Sequence, residues 1–203
     1  MKKILRNLLF LAGLGIPGVG LATPIISIDP TVSFGSIGDT ITVDILWDGS
    51  ADPEYLGAWD VDIAFDPTIL SFSGAVFGFG VDSLGCFPGI TCDALLLGPG
   101  LLDIFELSLD DAATLMANQD VLGNMFLLAS ISFDAIANGT SSLAFIGQSL
   151  AFGDELGNRI FPILNGARVC IGPNGCIDVP EPTGIALFVS GLLLFGLRRR
   201  LAN

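Results

Sequence analysis

The sequence predicts an all-β protein built as an antiparallel sandwich, and three observations carry that prediction. From Ile25 to Ile177 short segments rich in Phe, Ile, Leu and Val are separated by dense Gly, Pro, Asn and Asp, the punctuation of strands and turns. Two of the segments alternate apolar and polar residues, as half-buried strands do. Helical composition is confined to one short stretch, too little to supply the crossovers a parallel sheet requires.

Taken in order, "TITVDILWDG" sets Ile41, Val43, Ile45 and Trp47 on one face and Thr40, Thr42, Asp44 and Asp48 on the other. "GAWDVDIAFDP" repeats the pattern, with Trp59, Val61, Ile63 and Phe65 toward a core and Asp60, Asp62 and Asp66 toward water. Pro67 fixes its own φ and holds Asp66 extended, so the chain turns there and Leu70 re-enters the core on the next strand. "TILSFSGAVFGFG", "LLDIFELSL", "MFLLASISFDAIA", "SSLAFIG" and "NGARVCIG" are the remaining strands. "DDAATLMANQD" (Asp110–Asp120) predicts one or two helical turns. "GDELGNRI" closes a hairpin, and Asn138-Gly139 suits a tight reversal. No repeat of solenoid length is present.

Charge narrows the function. Lys2, Lys3 and Arg6 precede the apolar run "NLLFLAGLGIPGVGLA", which ends on small residues. This is the pattern of a secretory signal peptide, residues 1–22, cut after Ala22, with an uncleaved membrane anchor as the alternative. The body, residues 23–178, holds 20 carboxylates against Arg159 and Arg168, a net charge of −18, with no Lys and no His. Such a surface repels nucleic acid and anionic lipid. Without His or Lys it has neither the usual general base nor a Schiff-base amine, and no phosphate-cradling glycine motif is present. Asp60 and Asp62 read as a solvated acidic strand rather than a glycosidase pair. The expected protein is not an enzyme and carries no cofactor.

Calcium is the one ion to weigh. Asp44, Asp60, Asp62 and Asp66 on one face, or Asp154, Glu155 and Asn158 at one turn, offer the oxygen ligands Ca²⁺ prefers. Neither set matches a calcium-loop pattern, and plain turn chemistry accounts for both. "NGT" at Asn138 fits a glycosylation sequon and is read as a turn.

Four cysteines lie in two short loops, "CFPGITC" and "CIGPNGC". In an exported chain they read as disulfides; of three possible connectivities the spacing favours Cys86–Cys92 and Cys170–Cys176. A zinc site is the rival, with less suitable spacing.

The carboxyl end is "VPEPTGIALFVSGLLLFGLRRRLAN". Its uncharged run Gly184–Leu197 would rise roughly 21 Å as a helix, short against a hydrocarbon core of about 30 Å. Pro180 and Pro182 keep the preceding residues extended, and Arg198, Arg199 and Arg200 form a basic stop that leaves the body outside the cytoplasm.

Two resemblances follow. "IGDTITVDILWDG", "LGAWDVDIAFDPTILSFSGAVFG", "NMFLLASISFDAIANGTSSLAF" and "FGDELGNRIFPILNGARVCI" together resemble the cohesin domains, jelly-roll sandwiches related to carbohydrate-binding modules. The resemblance covers Ile25–Ile177 and implies a jelly-roll β-sandwich. The cysteine loops and the stretch Gly80–Gly100, which reads as an inserted loop, depart from that family. A single unit without a dockerin does not look like an enzyme-aligning scaffold. The tail, residues 179–203, resembles the PEP-CTERM sorting signal: motif Val179, Pro180, Glu181, Pro182 and Thr183, membrane segment 184–197, basic stop. That resemblance implies recognition and cleavage by an exosortase in the inner membrane of a Gram-negative bacterium, with release to the cell surface or the extracellular matrix.

The resulting expectation is an exported, non-enzymatic surface or matrix protein that binds a surface protein or exopolysaccharide. A stand-alone carbohydrate-binding module is the alternative. It needs exposed aromatics in a row, and Trp47 and Trp59 fall on core faces, leaving Tyr55.

Overall fold

The computed structural model of the protein describes residues 23–51, 54–173 and 176. The segments read as signal peptide and sorting signal lie outside the described residues. Among the described residues eleven strands run β1 (Ile25–Asp29), β2 (Val32–Gly35), β3 (Thr40–Asp48), β4 (Ala58–Ala64), β5 (Leu70–Phe77), β6 (Cys92–Gly98), β7 (Leu101–Leu107), β8 (Met125–Ala135), β9 (Gly139–Gly153), β10 (Ile163–Asn165) and β11 (Ala167–Ile171), with α1 (Ala112–Val121) between β7 and β8. They form two packed sheets, a five-stranded one in the order β10-β1-β3-β8-β5 and a six-stranded one in the order β2-β11-β9-β4-β7-β6.

The alternation read from sequence decides the packing. Ile41, Val43, Ile45 and Trp47 of β3 and Trp59, Val61 and Ile63 of β4 are buried, together with Phe65 just past the strand, and meet Leu102, Ile104, Leu128, Ile131 and Phe133 in one core. Each such aliphatic side chain contributes about 1.5–3 kcal/mol when removed from water. Phe133 meets the tilted ring of Phe65 at 5.1 Å and the edge-on ring of Phe72 at 6.2 Å, tying β8 to the corner after β4 and to β5. That corner is the one Pro67 predicts. Asp66 Oδ1 accepts from the Thr68 amide and hydroxyl, the Asp66 amide donates to Ser141 Oγ, and Leu70 opens β5 fully buried in the opposite sheet.

The sandwich departs from the sequence expectation in four places. Two edge pairings, β1 with β10 and β2 with β11, are parallel, because both ends of the chain switch sheets in the same direction. At the second switch only glycine fits: a Cβ on Gly166 would collide with the Leu143 carbonyl. Asn138-Gly139 does not close a hairpin; it carries the chain from β8 in one sheet to β9 in the other. The stretch Gly80–Gly100 is not all loop, since β6 occupies its second half; three consecutive leucines hid the strand by breaking the alternation. Helix α1 is ten residues rather than one or two turns, started by Asp111, whose side chain accepts from the amides of Ala113 and Thr114. The hairpin at Gly153–Ile160 forms as read, with the Ile160 amide donating to the Phe152 carbonyl.

Candidate functional site

The outer face of the six-stranded sheet is built from four strands. Because β4 turns Trp59, Val61 and Ile63 inward, it must turn Ala58, Asp60, Asp62 and Ala64 outward. Register then fixes their neighbours. Asp62 lies opposite Asp103 of β7 and Ile146 of β9; Asp60 lies opposite Phe105 of β7 and Ala151 of β9. One strand further, Leu95 of β6 faces Asp103, and Asp93 faces Phe105. A row of four aspartates therefore crosses three strands, framed by Phe105, Leu95, Leu107 and Ile146.

Its surroundings are drier than the sequence suggests. Asp62, expected in solvent, is only 6% exposed, while Leu95 and Leu107 are each 48% exposed and Ile146 is 39% exposed. Asp60 and Asp103 are close neighbours of like charge, and Asp60 Oδ1 has no donor among the described residues. Burial, with the charge of Asp103 adding to it, pushes Asp60 up to about 6; burial also raises Asp103. Beside Asp60 opens a depression of about 430 Å³ lined by Ala58, Leu150, Ala151, Phe152, Gly153 and Arg159 among others. Its wall exists because β9 carries extra residues: the register steps from Asp62↔Ile146 to Asp60↔Ala151, leaving residues 147–150 to bulge opposite Val61.

Beneath the same sheet, β7 points Glu106 into the core. It is 1% exposed; Oε2 accepts from the Trp59 indole at 3.2 Å, and Oε1 has no donor among the described residues. Burial pushes Glu106 up to about 7, against the opposing pull of the Trp59 hydrogen bond. The period of "LLDIFELSL" already places Glu106 in phase with Leu102 and Ile104; that was the signal for this acid.

A rim loop closes one end of the sheet. Cys86 and Cys92 form a disulfide, as do Cys170 and Cys176, and no cysteine among the described residues is free. Asp82, fully buried, accepts from the amides of Leu84 and Leu109, and Asp110 accepts from the amide and hydroxyl of Ser83. The loop so pinned exposes Leu84, Phe87 and Ile90.

The oxygen clusters considered for calcium are not assembled. Asp44 lies on the outer face of the other sheet and accepts from Ser130 Oγ at 2.6 Å, away from Asp60 and Asp62. Asp66 is engaged by Thr68, whose hydroxyl and amide hold its carboxyl below the usual range. Asp154 accepts from the amides of Leu156 and Asn158 and from the Asn158 side chain, which is turn chemistry. Among the described residues no three metal-ligating side chains converge. Nor do the aromatics form a row. Trp47 and Trp59 are buried, the Tyr55 hydroxyl donates to Asp120 at 2.9 Å, and exposed Phe34, Phe79, Phe87 and Phe161 sit on separate elements. Among the described residues no helix is long and apolar enough to cross a membrane.

No protein-family model and no curated sequence matches the chain significantly. Solved structures do match. The sixth cohesin of the Acetivibrio cellulolyticus scaffoldin B, solved in complex with a dockerin, superposes with a TM-score of 0.55 at 17% identity, covering 74% of this chain and 100% of that one. A type I cohesin–dockerin complex from Clostridium thermocellum gives 0.57 at 16% identity over 74% of this chain and 100% of that one. A non-cellulosomal cohesin from the archaeon Archaeoglobus fulgidus gives 0.52 at 12%, covering 75% and 94%. At these identities the likeness is one of fold, and the chain has the cohesin-like β-sandwich.

Proposed function

We propose that the protein is an exported, non-enzymatic binding module whose docking surface is the outer face of the six-stranded sheet. In this reading residues 1–22 direct export, an exosortase recognises Val179–Thr183 and removes the apolar segment 184–197 with its basic stop, and the body is left at the cell surface or in the matrix. One observation carries the choice of face: hydrocarbon from Leu95, Leu107 and Ile146 is exposed around a row of half-buried aspartates of which Asp62 is buried. Soluble surfaces rarely keep apolar area and strained charge together unless something covers them. The cohesin-like sandwich supports a polypeptide partner, since two of the neighbours described are complexes with dockerins.

A photo-crosslinking side chain placed at Leu95, and separately at Val76 on the outer face of the other sheet, tests this in the producing envelope. Crosslinks to a polypeptide from position 95 and none from position 76 are expected. Equal labelling, or crosslinks to polysaccharide alone, would refute the face or the partner class. Mass spectrometry of released protein checks the route: an intact carboxyl end in material outside the cell rules out processing.

A further inference from the structure

On the flank of the sandwich, where the chain leaves β9 of one sheet and crosses to β10 of the other, a pocket of about 250 Å³ opens. Leu150 and Phe152 of β9, Ile160 and Pro162 of the crossing segment and Leu164 of β10 line it. The side chains of its wall are hydrocarbon except that of Arg159. Two features hold this arginine in place. The hairpin sets its backbone opposite Gly153, and the next amide, that of Ile160, donates to the Phe152 carbonyl at 3.0 Å. The bulge of β9 leaves Leu150 without a register partner on β4, and its carbonyl accepts from the Arg159 guanidinium at 3.3 Å. The guanidinium also lies over the Phe161 ring at 5.0 Å. Although the body is crowded with acids, no carboxylate among the described residues forms an ion pair with Arg159. Asp60 shares only the adjoining depression with it, and the Asp154 carboxylate is taken by the amides and side chain of its own turn.

We propose that this pocket binds a small carboxylate with a hydrocarbon body, the carboxylate on Arg159 and the body against Leu150, Ile160 and Leu164. The site is independent of the docking face argued above. A guanidinium presents the planar fork that a carboxylate matches. Its two existing contacts already restrict the side chain, so binding costs less of its rotamer freedom. Apolar walls keep water from the ion pair and strengthen it. Size and charge then narrow the occupant. Pockets for drug-sized ligands run from about 300 to 1,000 Å³; this one is smaller, and a single aryl ring or a short branched chain fills it. A long polyanion is repelled by the net charge of −18 on the body, whereas a single carboxylate meets that repulsion once. A sugar acid brings the same carboxylate, but its hydroxyls would exchange water for hydrocarbon walls, which is unfavourable.

The test uses the full-length chain in a neutral detergent. The probes are phenylacetate, its neutral twin phenylacetamide, and glucuronate. Each is titrated while the Arg159 Nε–H resonance is followed by NMR, that resonance being assigned by its loss in Arg159→Gln. Phenylacetate is expected to shift it saturably and to bind at least about tenfold tighter than phenylacetamide, with glucuronate weaker than phenylacetate. This comparison on the wild-type chain stands whatever the variants do. In Arg159→Gln, calorimetry should find acid and amide equally weak. Gly147 lines the same pocket, and a Cβ there would meet only Leu150, at 3.8 Å. Gly147→Leu therefore fills the space without a clash and should lose phenylacetate. Both positions are exposed, and both variants should melt with the wild type. Equal affinity for acid and amide, or an acid preference that survives Arg159→Gln, overturns the role of the arginine. Glucuronate as tight as phenylacetate overturns the hydrocarbon body and assigns the pocket to a sugar acid. Undiminished phenylacetate binding in Gly147→Leu overturns the cavity, and no saturable shift with any probe overturns the site altogether.

Discussion

On the outer face of the five-stranded sheet Thr40 donates to Asp134 at 2.9 Å, Ser130 donates to Asp44 at 2.6 Å, and Thr42 and Ser132 share a hydrogen bond at 3.2 Å. On the outer face of the six-stranded sheet each aspartate instead looks across at another aspartate or at hydrocarbon. The contrast continues inside. Trp47 of the first sheet gives its indole proton to Asn124, which also donates to the carbonyls of Gly49 and Glu54. Trp59 of the second gives its proton to Glu106, an acid whose other oxygen has no donor among the described residues. The first sheet satisfies these polar groups from within, whereas the second carries Asp60 Oδ1 and Glu106 Oε1 without a donor among the described residues. Uncompensated charge of this kind costs stability.

The largest expected effect breaks the satisfied side. Asn124→Ala removes the acceptor of the Trp47 indole, orphans two carbonyls and loses a residue type that tolerates its φ of 54°. It should cost about 3–4 kcal/mol, read from the urea midpoint; a loss under about 1 kcal/mol would show that Trp47 is held by packing alone.

Next comes the acid side. Glu106 has its folded pKa raised to about 7 from an ordinary 4.5, so the unfolded chain gives up its proton first. Stability is fully present below about pH 4.5 and declines as pH rises toward 7. Glu106→Gln keeps the Trp59 hydrogen bond and removes the charge. It should be more stable than wild type above pH 7 by up to about 3 kcal/mol and equal to it near pH 4. Thermal melts across that range check it, and parallel curves for the two proteins would sink the account.

The smallest effects have opposite signs on the two faces. Asp103→Asn relieves like-charge crowding with Asp60 and Asp62 and should stabilise by about 0.2–1 kcal/mol. Asp134→Ala deletes the acceptor of Thr40 and should destabilise by about 0.5 kcal/mol. Matching signs would mean that the two faces differ less than their hydrogen bonds indicate.

How much of this was legible depended on sequence distance. The two alternating strands fixed the inward set from Ile41 to Trp47 and from Trp59 to Phe65, and Pro67 located the corner; both are local signals. The disulfides were legible for the same reason, each closing a short loop. The dry aspartate row was not. Asp60 and Asp62 were correctly set outward, but their burial depends on Asp103, Leu95 and Ile146, and only strand register brings those residues beside them. A strand with polar residues on one face looks solvated until its neighbours are known. The β6 leucines and the bulge of β9 escaped because neither keeps a period of two.

Trp59 beside Glu106 has a practical consequence. The chain contains two tryptophans, and one has an ionisable group on its indole nitrogen while the other has a neutral amide. The protein is thus built with an optical pH probe and an internal reference. Ionisation of Glu106 is expected to shift the emission of Trp59 and to spare that of Trp47, so a pH titration of the intrinsic fluorescence would follow the buried acid in unlabelled protein.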